Sequence, residues 1–180
     1  MAPNFKILPN YSYADYCQWE GRWEIIDGIP FAMNTEFEVR HQEITTKLCC
    51  ELRIAVKANG FKHLIVSPYI DYVVAENTVV QPDALIYSGC TNDVYLDVPP
   101  HLVAEVISSQ TEIKDRYAKY AIYEKAGVSY FLLINPETEM VQLFVLEGGE
   151  YILKQEGHDF TYRFDLDGGC SAEIDFNEIW

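Results

Sequence analysis

Hydrophobic and polar positions in the first part of the chain predict a short helix followed by a hairpin. Residues 11–20 favour a helix, which Ser12 can cap with its hydroxyl group. Two apolar segments then flank Asp27-Gly28, a dipeptide that is typical of the tight turn between two strands. Residues 23–31 therefore predict a β-hairpin.

A longer helical pattern follows over residues 36–59. Its apolar residues recur four positions apart, which places them on one face of a helix. Asn59-Gly60 is a typical end of such a helix, because these residue types tolerate a left-handed backbone. The apolar face consists of Ile44, Leu48, Leu52 and Val56.

The rest of the chain alternates short apolar runs with turn residues, which predicts strands around one further helix. This helix is expected over 112–125, with Gly127 at its end. Residues 101–107 are almost continuously apolar, as in a strand buried on both faces of a sheet. Further strands are predicted at 63–67, 70–75, 79–87, 128–134, 140–146, 151–154 and 160–166, before a short tail to Trp180. The order predicts an α/β (α+β) fold in one domain, 1–180, with a mixed central sheet flanked by helices.

Composition agrees with a single folded domain. The chain has 180 residues, of which 49% are hydrophobic and 14% aromatic, too many for a disordered protein. Apolar runs stay well below the roughly 20 residues of a membrane span. The first residues lack the basic and apolar regions of a signal peptide, so we expect a cytoplasmic protein without a membrane partner. No small-molecule organic cofactor is expected.

Five cysteines form an odd set without a C-x-x-C pair, which argues against a disulfide framework or a structural zinc site. We expect reduced thiols that are buried or half-buried. They are Cys17, Cys49, Cys50, Cys90 and Cys170.

The net charge of −15 bears on possible partners. It results from 28 Asp and Glu against 13 Lys and Arg. Affinity for DNA rests largely on basic side chains at phosphates, so the charge disfavours tight unaided DNA binding.

Two carboxylates interrupt apolar runs that otherwise predict buried strands. Asp83 follows Pro82 in one run, and Glu105 is the only charged residue between Leu102 and Ile107 in the other. Burying an unpaired carboxylate costs several kcal/mol, roughly, so a cation between the two is expected. Oxygen ligands favour Mg²⁺ or Mn²⁺. Alternatively, Asp83 caps a strand end and Glu105 pairs with an Arg or Lys.

Four further residues are candidates for the same site. Asp115 and Lys119 are four apart on the predicted helix, which suits either a surface salt bridge or a lysine directed at the carboxylates. Glu24 lies in the first strand of the hairpin, where it is either solvated or directed at a metal. His41, near the start of the long helix, is either a packing residue or a contact for phosphate or water.

Six motifs in the same order and spacing resemble the Uma-two family of bacterial putative restriction endonucleases, over residues 11–180. They are Glu24-Ile-Ile-Asp-Gly, Arg40-His-Gln, Val80-Gln-Pro-Asp-Ala, Leu102-Val-Ala-Glu-Val-Ile-Ser, Asp115-Arg-Tyr-Ala-Lys and Tyr123-Glu-Lys-Ala-Gly-Val-Ser-Tyr-Phe-Leu-Leu-Ile-Asn-Pro. The resemblance implies the restriction-endonuclease-like fold of the PD-(D/E)XK nuclease superfamily.

The resemblance also implies roles for the candidate residues. Asp83 corresponds to the metal-binding Asp, and Glu105 to the second carboxylate of the motif. The superfamily lysine normally stands two residues further on, where this chain has Ile107, and Lys119 is the matching position on the following helix. Glu24 matches an acidic residue that members contribute from an early element.

These residues imply a Mg²⁺- or Mn²⁺-dependent endonuclease that hydrolyses DNA. Asp83, Glu105 and the carbonyl group of Val106 would hold the metal, Lys119 would position water, and Glu24 would tune the metal or its waters. The alternative is a catalytically inactive module for binding or assembly, and RNA remains open as a substrate. A homodimer is expected by analogy, with aromatic residues of the C-terminal half either at its interface or in the core of the chain.

Overall fold

A six-stranded mixed sheet forms the centre of the protein. The computed structural model describes residues 8–33, 38–58, 60, 63–89, 94–109 and 111–180. The strands of this sheet follow the order β10-β9-β8-β7-β6-β3, and only β7 and β8 are parallel neighbours. Its strands are β3 Leu64–Ser67, β6 Ala84–Ser88, β7 Leu102–Val106, β8 Tyr130–Asn135, β9 Met140–Glu147 and β10 Glu150–Gly157.

Two smaller antiparallel sheets accompany the central one. A four-stranded sheet has the order β2-β1-β5-β4, and β11 pairs with β12 in a hairpin. Their strands are β1 Trp23–Ile26, β2 Ile29–Ala32, β4 Tyr72–Ala75, β5 Thr78–Val80, β11 Thr161–Leu166 and β12 Cys170–Asp175.

The helices include one unusual segment. A π-helical turn over Lys114–Lys119 continues directly into α3, Tyr120–Ala126. Together they form the crossover that a parallel pair of strands such as β7 and β8 requires. The other helical segments are α1 Tyr13–Tyr16, α2 Val39–Ala58 and the 3₁₀ turns Asp167–Gly169 and Phe176–Ile179.

The two faces of the central sheet are covered by different elements. Helix α2 packs its predicted stripe, including Leu48 and Leu52, on the face that carries Ala104 and Val106, and the β11-β12 hairpin covers the same face. Helix α3 and the four-stranded sheet cover the opposite face, which carries Val103. The side chains of β7 thus alternate between two apolar layers, as the sequence predicted. The predicted mixed sheet flanked by helices is confirmed.

Several element predictions hold in detail. Ser12 caps α1 in a capping box with Asp15, and Asp27-Gly28 forms the turn of the β1-β2 hairpin. At the end of α2, Gly60 adopts a φ of 76°, as expected of a terminating glycine. The predicted start of this helix at 36 and its last residue, Asn59, lie outside the described residues.

Two predictions of strands were wrong. The run 79–87 is divided between β5 and β6, which belong to different sheets. Pro82 lacks the N–H group that a continuous ladder needs, and the chain changes sheets there. The predicted tail to Trp180 instead contains β12 and a 3₁₀ turn, because β12 pairs with β11 along its whole length.

The aromatic residues of the C-terminal half pack within the chain. Phe131 and Phe164 are fully buried in opposite layers, and Tyr151 is almost fully buried. Aromatic residues of this half are therefore used in the chain's own core, and the homodimer stays a prediction.

The cysteines of the described residues are free thiols. Cys170 is buried and Cys49 half-buried, but Cys17 and Cys50 are exposed, so the expectation of burial was wrong for these two. Cys90 lies outside the described residues. None of the helices in the described ranges combines the length and the apolar character needed to cross a membrane.

Candidate active site

Two buried carboxylates, Asp83 and Glu105, line one cleft, and a third, Glu24, is buried beside it in contact with the cleft residue Lys119. Glu24 lies on β1 and is completely buried, Glu105 lies on β7 and is 2% exposed, and Asp83 precedes β6 and is 7% exposed. The amide of Gln81 donates to Glu24 Oε1 at 2.9 Å, which joins the small sheet to the turn that carries Asp83. The sequence-predicted carboxylates therefore converge.

Lys119 lies between these carboxylates. Its Nζ is 2.8 Å from Glu24 Oε1, 3.0 Å from both carboxylate oxygens of Glu105 and 3.5 Å from Asp115 Oδ1. The lysine is only 2% exposed, as is Asp115, so their pairing is not a surface salt bridge. The contact between Lys119 and Glu105 also agrees with the alternative prediction, in which Glu105 pairs with an Arg or Lys.

A second lysine, which the sequence analysis missed, binds the same glutamate. Lys114 Nζ contacts Glu24 Oε2, while Lys119 contacts Oε1. The two lysines are five residues apart, and a π-helix closes its hydrogen bonds over that interval. Such turns are frequent at functional sites. The only sequence signal was the position of Lys114 next to Asp115.

Asp83 is held by the backbone and by a histidine. The Val106 amide donates to Asp83 Oδ2 at 2.8 Å, so the aspartate does cap a strand end, as one interpretation predicted. His41 Nε2 lies 3.3 Å from the same oxygen. Burial lowers the pKa of His41, but the hydrogen bond and charge of Asp83 outweigh it and raise the pKa above its usual 6.5. A role of the Val106 carbonyl group as a metal ligand stays a prediction.

Tyr123 on α3 completes the surroundings of Glu105. Its hydroxyl group donates to Glu105 Oε1 at 2.6 Å, and its side chain is fully buried. Burial and the nearby Glu105 raise the pKa of Tyr123 well above its usual value, so it remains a hydrogen-bond donor. This residue was also missed, because its spacing fits an ordinary core position of the helix.

The pKa values of the two glutamates are shifted in opposite directions. Burial raises the pKa of Glu105 well above its usual range. Lys119 acts in the opposite direction and lowers this pKa, whereas the negative charges of Asp115, Asp83 and Glu24 raise it further. Burial also acts on Glu24, but Lys119, Lys114 and the Gln81 amide together lower its pKa. Opposite shifts in neighbouring acids are typical of sites that handle protons.

The site holds more buried acids than bases. The carboxyl groups of Glu24, Asp83, Glu105 and Asp115 are gathered around the two ammonium groups of Lys114 and Lys119, with the imidazole ring of His41 beside Asp83. Asp115 Oδ1 has no hydrogen-bond partner among the described residues.

The carboxylates of the cleft are oxygen donors, the type of ligand that Mg²⁺ prefers. Among the described residues, no three His, Cys, Asp or Glu side chains are grouped so as to hold a metal ion by themselves. Mg²⁺ commonly keeps several waters and takes one or two carboxylates plus substrate phosphate oxygens. Asp83 and Glu105, which both line the cleft, match this requirement.

The cleft has a volume of about 560 Å³ and connects the acids to the surface. Lys119, Asp115 and His41 also line its inner part. Phe31 and Met33 lie on one side, and Ile113 and Tyr117 line it from the segment of the π-helical turn.

Comparisons with known proteins place the chain in a family. A solved structure of "a putative nuclease belonging to DUF820" from Anabaena variabilis is similar, with a TM-score of 0.63 and 12% identity over 79% of this chain and 83% of that one. A DrdV–DNA complex also aligns, at 10% identity over 76% of this chain and 12% of that one, but its TM-score of 0.32 is too low to indicate a shared fold. No curated protein matches. The profile of the Uma2 family, described as "Putative restriction endonuclease", matches residues 13–163, and the chain therefore belongs to this family.

Proposed function

We propose that this protein is a Mg²⁺-dependent endonuclease that hydrolyses phosphodiester bonds of DNA. The observation that carries the proposal is the burial of Glu24, Asp83, Glu105 and Lys119 at one cleft, where acidic side chains outnumber lysines. A fold that buries a cluster of ionisable groups at a cost in stability has a reason to keep them at a functional site.

Asp83 and Glu105 are the proposed metal ligands, with the carbonyl group of Val106 as a third. A bound Mg²⁺ would supply Lewis-acid activation of water and of the scissile phosphate. The Val106 amide and His41 fix Asp83 Oδ2 and thereby orient its carboxylate. Glu105 must lose any proton that its raised pKa retains before it can serve as a ligand.

Lys119 is the proposed group for positioning the attacking water and stabilising the negative charge that develops on the phosphate. Glu24 holds the ammonium group of Lys119 in place. Lys114 and the amide of Gln81 in turn fix the carboxylate of Glu24. His41 lines the same cleft, where its protonated ring can donate to a phosphate oxygen or to water. In hydrolysis the water oxygen would form a new P–O bond and lose a proton, one P–O bond of the DNA backbone would break, and the leaving oxygen would take up a proton from water.

One observation favours a second function, that of an inactive binding or assembly module. Lys119 already lies 3.0 Å from both carboxylate oxygens of Glu105, and this contact can stand as a purely structural ion pair. Calorimetric titration with Mg²⁺ and Mn²⁺ separates the two functions. Binding that is lost in Asp83→Ala and Glu105→Gln supports the endonuclease, whereas no such binding supports the module.

The direct test is cleavage of plasmid and oligonucleotide DNA with Mg²⁺ or Mn²⁺, and with EDTA as a control. Asp83→Ala and Lys119→Ala should each lower the rate by at least 10²-fold, in the range typical for loss of a catalytic group. Lys154→Ala, which removes an exposed ion pair with Glu147, serves as the matched control and should cleave normally. Equal activity in wild type and Asp83→Ala would refute the proposal.

A further inference from the structure

The mouth of the cleft carries exposed aromatic and apolar side chains. Phe31 is 37% exposed, Tyr117 67% and Ile113 78%, and all three line the cleft. Phe31 is the direct cross-strand partner of Glu24 in the β1-β2 hairpin, so both side chains lie on the same face of the small sheet. Tyr117 lies in the π-helical turn between Asp115 and Lys119. Aromatic side chains thus enter the mouth from both the sheet and the helix.

Basic side chains that could track a DNA backbone are scarce. In the described part of the chain, seven of eleven lysines and arginines are ion-paired with a carboxylate: Arg40, Lys47, Lys114, Arg116, Lys119, Lys154 and Arg163. Both lysines that line the cleft contact Glu24. The acidic residues lining it are Glu38, Asp83, Glu105 and Asp115. Attraction of further phosphates by Lys and Arg side chains around the cleft therefore contributes little to affinity.

We propose that the cleft binds an unpaired nucleotide of single-stranded DNA, whose base stacks on Phe31 and Tyr117 at the mouth. This inference rests on the proposed function, which places the adjoining phosphate at Glu105 and Lys119. Stacking is tolerant of sequence, because every base has an aromatic face. It also replaces the phosphate contacts that a chain of charge −15 offers poorly.

Intact duplex DNA does not meet the same requirements. Its bases are already stacked on one another, and extruding one costs a few kcal/mol, roughly. Proteins that bind duplexes typically neutralise several phosphates with Lys and Arg. Substrates are therefore expected to be single strands, flaps or frayed ends.

Binding is measured by fluorescence anisotropy with one labelled oligodeoxynucleotide, single-stranded or annealed to its complement. Ca²⁺ replaces Mg²⁺, and a gel checks that the oligonucleotide stays intact. The single strand should bind at least tenfold more tightly than the duplex. Its affinity should fall less than tenfold between 50 and 200 mM salt, against about 10³–10⁵-fold for a protein with 6–10 phosphate contacts.

Matched variants identify the stacking groups. Phe31→Leu and Tyr117→Leu keep apolar area but lose the ring, and each should weaken binding of the single strand about 5- to 150-fold. Tyr117→Phe keeps the ring and should bind like wild type. Leu153→Ala, at an exposed position on β10, is the control and should also leave binding unchanged.

The outcomes separate this inference from the proposed function. Duplex binding as tight as single-strand binding, unchanged affinity in both ring-less variants, or no binding of either DNA would overturn the inference. Cleavage of intact duplex without preference would overturn it and leave the endonuclease standing. Ring-dependent binding of single strands without any cleavage in Mg²⁺ or Mn²⁺ would support it and count against the endonuclease.

Discussion

Replacing Lys119 with methionine should destabilise the protein strongly at neutral pH. The methionine fills similar space but removes the charge that lies within 3.0 Å of Glu24 and Glu105 and 3.5 Å from Asp115. Removing one partner from a buried ion pair costs about 3–5 kcal/mol, because the other charge stays buried without compensation. A domain of this size loses roughly 2–4 °C of melting temperature per kcal/mol, so Tm should fall by roughly 6–20 °C.

The assay is urea unfolding followed by circular dichroism, in EDTA at pH 7 and at pH 5. Lys154→Met is the matched control, since Lys154 and Glu147 form an ion pair whose side chains are 34% and 52% exposed. An exposed pair contributes about 0–1 kcal/mol. The difference in the free energy of unfolding between Lys119→Met and Lys154→Met therefore isolates the effect of burying the ion pair.

Acid should rescue the Lys119→Met variant in part. At pH 5 the carboxyl groups of Glu105 and Asp115 take up protons more readily, since burial raises the pKa of both. If the Lys119→Met variant does not fold, the double variant Lys119→Met/Glu105→Gln should fold, because it removes the charge of Glu105 together with that of its partner Lys119. The reasoning would be refuted if, at pH 7, Lys119→Met lowered the free energy of unfolding by no more than Lys154→Met does.

Three further predictions concern the neighbouring groups and the core. Tyr123→Phe removes the donor 2.6 Å from Glu105 and should lower the free energy of unfolding by about 1.5–3 kcal/mol in urea titrations. The pKa of Glu105 in the folded protein lies above its ordinary 4.5, so the folded chain keeps a proton that the unfolded chain releases. The free energy of unfolding should therefore fall as pH rises from 4.5 through the raised pKa, by at most about 1.4 kcal/mol per pH unit. Glu105→Gln should make this decline shallower when urea titrations at several pH values in EDTA are compared, and the part that remains belongs to Asp115 and His41, whose pKa values are also raised. An equal slope in both proteins would contradict the prediction. Leu48→Ala should cost about 2–5 kcal/mol, measured as a lower urea midpoint, because Leu48 on α2 is fully buried against the central sheet.

The central strand could be predicted from the sequence because its pattern is local. An apolar run over 101–107 with one acid defines both the strand and the layer in which Glu105 lies. The end of one strand at Pro82 had a local signal, but the separate sheets that β5 and β6 join could not be predicted in this way, since they depend on distant partners. β12 was missed for the same reason, as its pairing with β11 is a tertiary choice.

Lys114 shows a different limit of sequence reasoning. With 3.6 residues per turn, positions five apart point about 140° away from each other on an α-helix, so Lys114 and Lys119 were not expected to share a partner. The π-helical turn brings both to Glu24. Residue preferences do not distinguish such a turn from an ordinary helix, whereas the contacts of its side chains with the rest of the fold do.

The surplus of buried acids implies a conflict between heat resistance and chemistry. Replacing buried charges with neutral groups of similar shape is often neutral or stabilising, and gains in stability commonly cost function at such positions. A library of variants selected only for survival at high temperature should therefore lose Asp115 early, while keeping Leu48, because Asp115 Oδ1 makes no hydrogen bond and Lys119 keeps its contacts with Glu24 and Glu105. The same library selected in addition for the biological role of the protein should keep Asp115, and the difference in its frequency between the two selections would measure its importance for function.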